Sequence, residues 1–227
     1  NAKVIDPLTE TISDGEVMFE DGTIIPKETA DETIDCQGQY VSPGLIDLGV
    51  KVGEPGERHK ESYKSAGASA AAGGVTTIVT RPDTIPAIDT PEVLEFIRRR
   101  AQEVCPVNVF HMVALTKERA GREMTEIGFL KDAGAIAFTD FNNVVKNSKI
   151  LSRALSYAKS LDALVIGHPQ DPDLSEESSA TSGKFASLRG LPSVTPLAER
   201  MALDRDMALV ELTGVQYHFD QITTARS

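Results

Sequence analysis

The rhythm of apolar and polar positions changes once along this chain. Through residue 42 the apolar residues come in short β-rich runs, "AKVID", "GEVMFEDGTII" and "TIDCQGQYVS", with Asp21-Gly22 as a hairpin-type turn signal. From Gly44 onward, near-continuous apolar runs alternate with longer amphipathic stretches. The runs "GLIDLGV", "GGVTTIVTRP", "NVFHMVAL", "AIAFTD", "ALVIGHP" and "VQYHFDQI" predict strands buried on both faces. Between them, "KESYKSAGASAAA", "TPEVLEFIRRRAQEV", "EMTEIGFLKDAG", "SKILSRALSYAKSLD" and "PLAERMALDRDMALVELTG" predict helices. The second has Thr90 as N-cap, Pro91 at the first helical position and Glu92 in the first turn. The last begins at Pro196 and repeats apolar Leu197, Met201, Ala208 and Leu212 at helical spacing.

Strand and helix thus alternate about six times, which predicts a parallel α/β architecture. Alternation alone leaves a doubly wound sheet and a TIM barrel both open. The dinucleotide fingerprint requires glycines after a strand, whereas Gly73-Gly74 precede one, and this favours the barrel. About six of the eight units of such a barrel are present, and the sixth strand is ending at "DQITTARS". An open barrel would expose two strand edges, so the chain is expected to be part of a longer one. The expected division is a β-rich segment over residues 1–43 and the barrel over 44–227.

Composition and charge narrow the function. A net charge of -11 with interspersed charges argues against a nucleic-acid binder, which needs clustered Lys and Arg. Cys36 and Cys105 lie far apart and outside any metal-binding or disulfide spacing, which fits a reducing cytoplasm. No apolar run reaches membrane-spanning length, and the start "NAKVIDPLTE" lacks signal-peptide character, so neither membrane insertion nor export is expected.

Candidate chemistry should sit where a barrel strand ends, and the first such end is "VSPGLIDLGVKVGEPGERHKES". Read as a strand from Gly44 to Val52 that stops at Pro55-Gly56, it presents Gly49, Lys51 and Gly53 at alternate positions. Two of these have no side chain and none is an ordinary metal ligand. Together with "AAAGGVTTIVTRPDTIPAIDTPE" and "GLPSVTPLAERMALDRDMALVELTG", this stretch resembles the dihydroorotase family of the amidohydrolase superfamily. The similarity spans essentially the whole chain. It implies a metal-activated hydroxide in a TIM barrel, interconverting carbamoyl aspartate and dihydroorotate in pyrimidine synthesis. It also implies that residues 1–43 are part of a small β-sandwich built from both chain ends.

Against the family's D-L-H-V-H-L-R-E-P-G, this chain reads D-L-G-V-K-V-G-E-P-G. By that resemblance the two metal-binding histidines have become Gly49 and Lys51, and the arginine that grips the substrate carboxylate has become Gly53. The family's M-P-N-T-N-P stands as Arg81-Pro82-Asp83-Thr84-Ile85-Pro86, so Asp83 replaces a substrate-holding asparagine and would repel an anion. The family's S-D-D-G stretch, source of an aspartate ligand, is Thr139-Asp140-Phe141-Asn142. The histidine of H-C-E-D survives as His168, with Gln170 in place of an acid, and Gln221 stands where Y-H-x-x-H-x-S-T-A carries its ligand. His218 lies three residues earlier, an odd offset that turns it to the other face of a strand.

These residues leave two metal-ligand candidates, Asp140 and His168, short of the three or four that a site needs. No bound cofactor is therefore expected. His168 reads as a hydrogen-bonded relic at the barrel mouth, His59 as a loop residue and His111 as a core-strand residue. Ser175, Ser178, Ser179 and Ser182 lack a nucleophile motif and read as an exposed loop. Lys51 is expected to fill the space of the missing metal and to pair with Asp140. The resemblance then implies a catalytically silent homologue, a structural or regulatory subunit that assembles with aspartate carbamoyltransferase in a homo- or hetero-oligomer. Two alternatives remain: an active amidohydrolase with a rearranged site, for which zinc would be the metal, and a small-molecule sensor using the emptied pocket.

Overall fold

In the computed structural model, residues 1–26, 29–225 and 227 are described, and the chain divides into two units, Asn1–Leu45 and Ile46–Ser227. In the first unit, β1 (Ala2–Asp6) is the central strand of a three-stranded sheet. It pairs antiparallel with β2 (Thr11–Gly15) and parallel with β5 (Tyr40–Val41). Strands β3 (Met18–Glu20) and β4 (Thr23–Ile25) form a separate hairpin. Asp21 and Gly22 link them with φ of 47° and 76°, the two positive values that a tight primed turn requires. Of the predicted β-rich run "TIDCQGQYVS", only Tyr40–Val41 is strand.

The second unit is the parallel sheet. Strands β6 (Leu45–Val50), β7 (Val75–Thr80), β8 (Asn108–Val113), β9 (Ala137–Phe138), β10 (Val165–Gly167) and a sixth, Tyr217–Phe219, lie side by side in chain order. Helices α1 (Tyr63–Ala72), α2 (Pro91–Val104), α3 (Ile127–Asp132) and α4 (Ser148–Ser160) occupy the first four crossovers. The fifth is longer and holds α5 (Pro172–Ser175), β11 (Ala180–Thr181), α6 (Lys184–Arg189), β12 (Ser193–Val194) and α7 (Leu197–Thr213), so the final strand of the sheet is β13. Sequential order with a helix in every crossover is the winding of a TIM barrel, of which these are six of the eight units.

From β7 to β10 the sheet carries an apolar cluster on each face, as continuous apolar runs predict, whereas β6, expected to be buried on both faces, lies at the sheet edge and leaves Leu45, Ile46 and Leu48 exposed. Val113, Phe138 and Val165 pack in one cluster with the helix residues Leu94, Ile97, Leu130, Leu151 and Leu155. Their neighbours Met112 and Ala137 join Val79, Leu164 and Ile166 in a second cluster. Local signals set most helix starts. Thr90 caps α2 by accepting from Val93 N, Asn147 caps α4 from Lys149 N and Ile150 N, and Ser62 and Ser65 form a reciprocal box at α1. Helix α3 starts at Ile127, later than predicted, because Thr125 is held on β8's exit, its Oγ1 2.8 Å from Ala114 O.

Helix α7 buries a different stripe from the expected one. Leu197, Met201, Ala208 and Leu212 are exposed, whereas Ala198, Glu199, Ala202, Leu203 and Asp206 are buried. Two carboxylates lie on the inward face because each has partners there. Asp206 is joined by Arg205 at 2.6 Å and by the Tyr217 hydroxyl at 2.9 Å. Glu199 accepts from the backbone N and Oγ1 of both Thr223 and Thr224, and so holds the segment after β13 to α7.

Burial alone would push the Glu199 carboxyl up, but the hydrogen bonds from Thr223, Ser227 and Thr224 outweigh it and bring it from 4.5 to about 2. A depressed folded-state value gives stability that is present above pH 4.5 and lost as pH falls towards 2. Glu199→Gln is expected to cost about 1–3 kcal/mol at pH 7 and to flatten the pH dependence across that window. Urea denaturation of both proteins at several pH values measures this, and identical pH slopes would exclude a contribution from the carboxylate.

Candidate functional site

Because the six strands are parallel, their carboxyl ends share one edge of the sheet, and the residues singled out in the sequence lie at those ends. Gly49 and Lys51 are at β6, Asp83 at β7, Asp140 at β9, His168 at β10 and Gln221 just beyond β13.

The first-strand motif departs from an extended strand. β6 ends at Val50, not Val52, and Gly49 already has φ of 89°, so Gly49, Lys51 and Gly53 do not alternate along one strand. Gly53 is buried, and a Cβ there would stand 2.5 Å from the carbonyl oxygen of Glu57, so no side chain fits without moving backbone. The turn after Gly53 is anchored by Glu54, a buried carboxylate that accepts from Tyr63 N at 3.1 Å and Arg100 Nε at 2.9 Å. These bonds tie it to α1 and α2.

Lys51 does not pair with Asp140. Its ammonium lies 3.3 Å from Oδ2 of Asp83, and Arg81 Nη2 reaches the same oxygen at 3.3 Å. Two cations therefore share the Asp83 carboxylate, which is not the bare repelling charge that the sequence implies. Arg81 stacks on Phe141, its guanidinium carbon 3.7 Å from the ring centroid. Neither residue stands out as a candidate in the sequence. The available signal is Arg81 itself, a cation at the end of a buried apolar strand.

Asp140 needs no lysine, because the end of β8 already satisfies it. Oδ1 accepts from Leu115 N at 3.0 Å and Thr116 N at 2.9 Å, and Oδ2 accepts from the Thr116 hydroxyl. Burial raises its pKa, and the bonds from Thr116 and Leu115 only partly oppose that. The partner that sequence reasoning misses here is Thr116, whose role depends on strand pairing and leaves no mark in the local sequence.

His168 is half-buried and its Nδ1 is buried without a hydrogen-bond partner among the described residues, so the expected hydrogen-bonded relic is not found at that atom. Asp140 lines the same small cavity, but its oxygens are committed to Leu115 and Thr116. On its outer side His168 borders an open cleft of ≈ 290 Å³ with Asn142, Lys146, Gln170 and Ser175. Gln221 is exposed with φ of 55°. His218 is exposed between half-buried Tyr217 and Phe219, and because β13 ends at Phe219 the strand-face argument from its offset does not extend to Gln221.

The remaining candidates have structural surroundings. His59 is exposed. His111 is buried in β8, with Nδ1 2.8 Å from Thr80 Oγ1, and burial lowers its pKa to about 4. The serine run is not wholly loop: Ser175 ends α5, and Ala180–Thr181 pairs with Ser193–Val194. The hydroxyls of Ser175, Ser178 and Ser179 donate to backbone carbonyls. Cys36 and Cys105 are both free thiols. No helix among the described residues is long and apolar enough to cross a membrane.

The mouth does not fit the metal that the first-strand motif would hold. Among the described residues no three His, Cys, Asp or Glu side chains converge as a metal cluster. Of the two candidate ligands, Asp140 has both oxygens engaged by β8, and the positions opposite carry a glycine and an ion-paired lysine. Restoring histidines is expected to fail for a backbone reason. At φ of 89° any side chain at position 49 is strained, which costs about 1–2 kcal/mol. The variant Gly49→His/Lys51→His should therefore be less stable and bind no stoichiometric zinc, as urea denaturation and zinc titration calorimetry will read. Tight zinc binding by the variant would reveal a latent ligand set.

Comparison with known proteins agrees with this architecture. A dihydroorotase-like protein of Pseudomonas putida is 40% identical over 231 residues, covering 99% of this chain and 54% of its own length. A dihydroorotase of Syntrophus aciditrophicus is 36% identical over 232 residues, covering 98% of this chain and 54% of its own. The chain thus spans about half the length of the curated relatives it matches. Among solved structures, the L-hydantoinase of Arthrobacter aurescens superposes with TM-score 0.79 at 19% identity, over 96% of this chain and 51% of that one. The dihydroorotase of Saccharomyces cerevisiae gives 0.54 at 14%, over 81% and 49%. At these identities the structures establish the barrel fold alone. The family model described as "Dihydro-orotase-like" matches residues 38–227, and the chain belongs to that family.

Proposed function

We propose that this protein is a non-catalytic dihydroorotase-like protein of pyrimidine biosynthesis, serving as a structural or regulatory subunit for aspartate carbamoyltransferase. One observation carries the first half of the reading: the mouth is built as an ion-paired network and not as a ligand set. Lys51 and Arg81 close on Asp83, and both Asp140 oxygens accept hydrogen bonds from Leu115 and Thr116. Hydrolysis of a cyclic amide at neutral pH needs an activated water, which a bound metal would supply. Among the described residues the ligand-type candidates are Asp140 and His168, short of the three or four that such a metal needs. Lys51 is held as a charged ion pair, and the Asp140 oxygens already accept three hydrogen bonds.

The partner comes from the family resemblance and has a thermodynamic rationale. A subunit that binds only the folded partner stabilises it by mass action, by about 2.7 kcal/mol when present at a hundredfold excess over Kd. That benefit requires an intact barrel and no chemistry. The active-amidohydrolase reading is favoured by the relatives described as dihydroorotases, and zinc content separates the two.

The full-length protein is expected to carry no stoichiometric zinc after desalting and to give dihydroorotate turnover at the level of the blank with zinc added. One bound zinc with turnover above blank would establish the active reading instead. Mixed at micromolar concentration with aspartate carbamoyltransferase, it should co-elute in gel filtration and raise the partner's thermal midpoint. Separate elution with an unchanged midpoint would remove the subunit role.

A further inference from the structure

We infer that Arg81 is a clamp which ties the carboxyl ends of β7 and β9 together, and through Asp83 reaches Lys51 beyond β6, setting a stacked cation beside the position where a metal centre would need its first-strand ligands. The inference deepens the non-catalytic reading and rests on it.

Four observations place Arg81 in this role. Its side chain is largely covered although it carries a charge, so its contacts must compensate the loss of water. One face of the guanidinium lies on the Phe141 ring at 3.7 Å, a desolvated cation–π contact with β9's exit. Its Nη2 meets Asp83 on its own loop, and Asp83 in turn holds Lys51 beyond β6. Finally, a Cβ built on Gly49 would stand 3.9 Å from Arg81 Cδ, in ordinary van der Waals contact, so the arginine stem borders the position from which a ligand would project.

The surroundings are arranged to present the ring. Phe141 has φ of 53°, an unfavourable value for an aromatic residue, and its backbone N donates to Thr139 Oγ1 at 2.9 Å. Next to it, Asp140 is pinned to the end of β8 by three hydrogen bonds. A non-glycine residue is kept in such a conformation only when its neighbours over-determine it. Arg81 Nε is buried with no hydrogen-bond partner among the described residues, so this guanidinium is held by stacking and by one carboxylate, not by a full set of hydrogen bonds. The aromatic face therefore matters more here than at a surface ion pair, and lysine would be a poor substitute.

The test is a stability cycle in the full-length protein with chemical rescue. Arg81→Ala is expected to lower the thermal midpoint by about 4 °C or more, and Phe141→Ala by a similar amount. The double variant should fall little further than the worse single, because both remove one contact. Millimolar propylguanidinium should raise the midpoint of Arg81→Ala but not of wild type, whereas propylammonium at the same concentration should raise neither. If Arg81→Ala does not fold, Arg81→Lys and Phe141→Leu provide the same cycle. Additive losses, an unchanged midpoint, or rescue by both amines alike would overturn the clamp. Zinc measured in the wild-type sample reports separately: bound metal overturns the non-catalytic reading, and additive losses without metal overturn the clamp alone.

Discussion

Buried carboxylates, each bonded to a partner from another element, are the constraint on which this barrel segment depends. Glu54, Asp140, Glu199 and Asp206 are all buried, and an unpaired charge in such a place costs several kcal/mol. Each is satisfied across a junction. Glu54 joins the exit of β6 to the start of α1 and to α2, and Asp140 joins the exit of β9 to that of β8. Asp206 and Glu199 join α7 to β13 and to the chain beyond it. Apolar packing between sheet and helices is non-directional and tolerates sliding. The carboxylates are directional, and they set how each strand end meets its neighbour.

The same rule explains the mouth. A site that holds a metal keeps its acidic ligands ionised and compensated by the cation. Here compensation comes from the protein itself. Asp140 turns to backbone N–H groups and a hydroxyl, and Asp83 takes two cations. The outcome is a family fold whose strand ends are mutually bonded, with Arg81 and Phe141 stacked at the mouth. Folding and catalysis make opposite demands on such a mouth, since a reactive site needs unsatisfied groups and a stable one does not.

What the sequence by itself determined was the order and type of the elements. Continuous apolar runs marked the strands of the sheet, Thr90-Pro91 and Asp21-Gly22 marked a helix start and a hairpin, and the altered motif at Gly49, Lys51 and Gly53 marked the site as unusual. These features are local, and local propensity and period-two burial are properties of neighbouring residues. Tertiary structure alone decided the partners. Lys51 went to Asp83 and not to Asp140, α7 turned its carboxylate-bearing stripe inward, and Arg81 found Phe141 sixty residues on. No periodicity carries such information, because which charge meets which depends on how parallel strand ends are brought side by side. Gly49 shows the limit most directly: its letter says only that a ligand is missing, and its φ of 89° says that none could simply be put back.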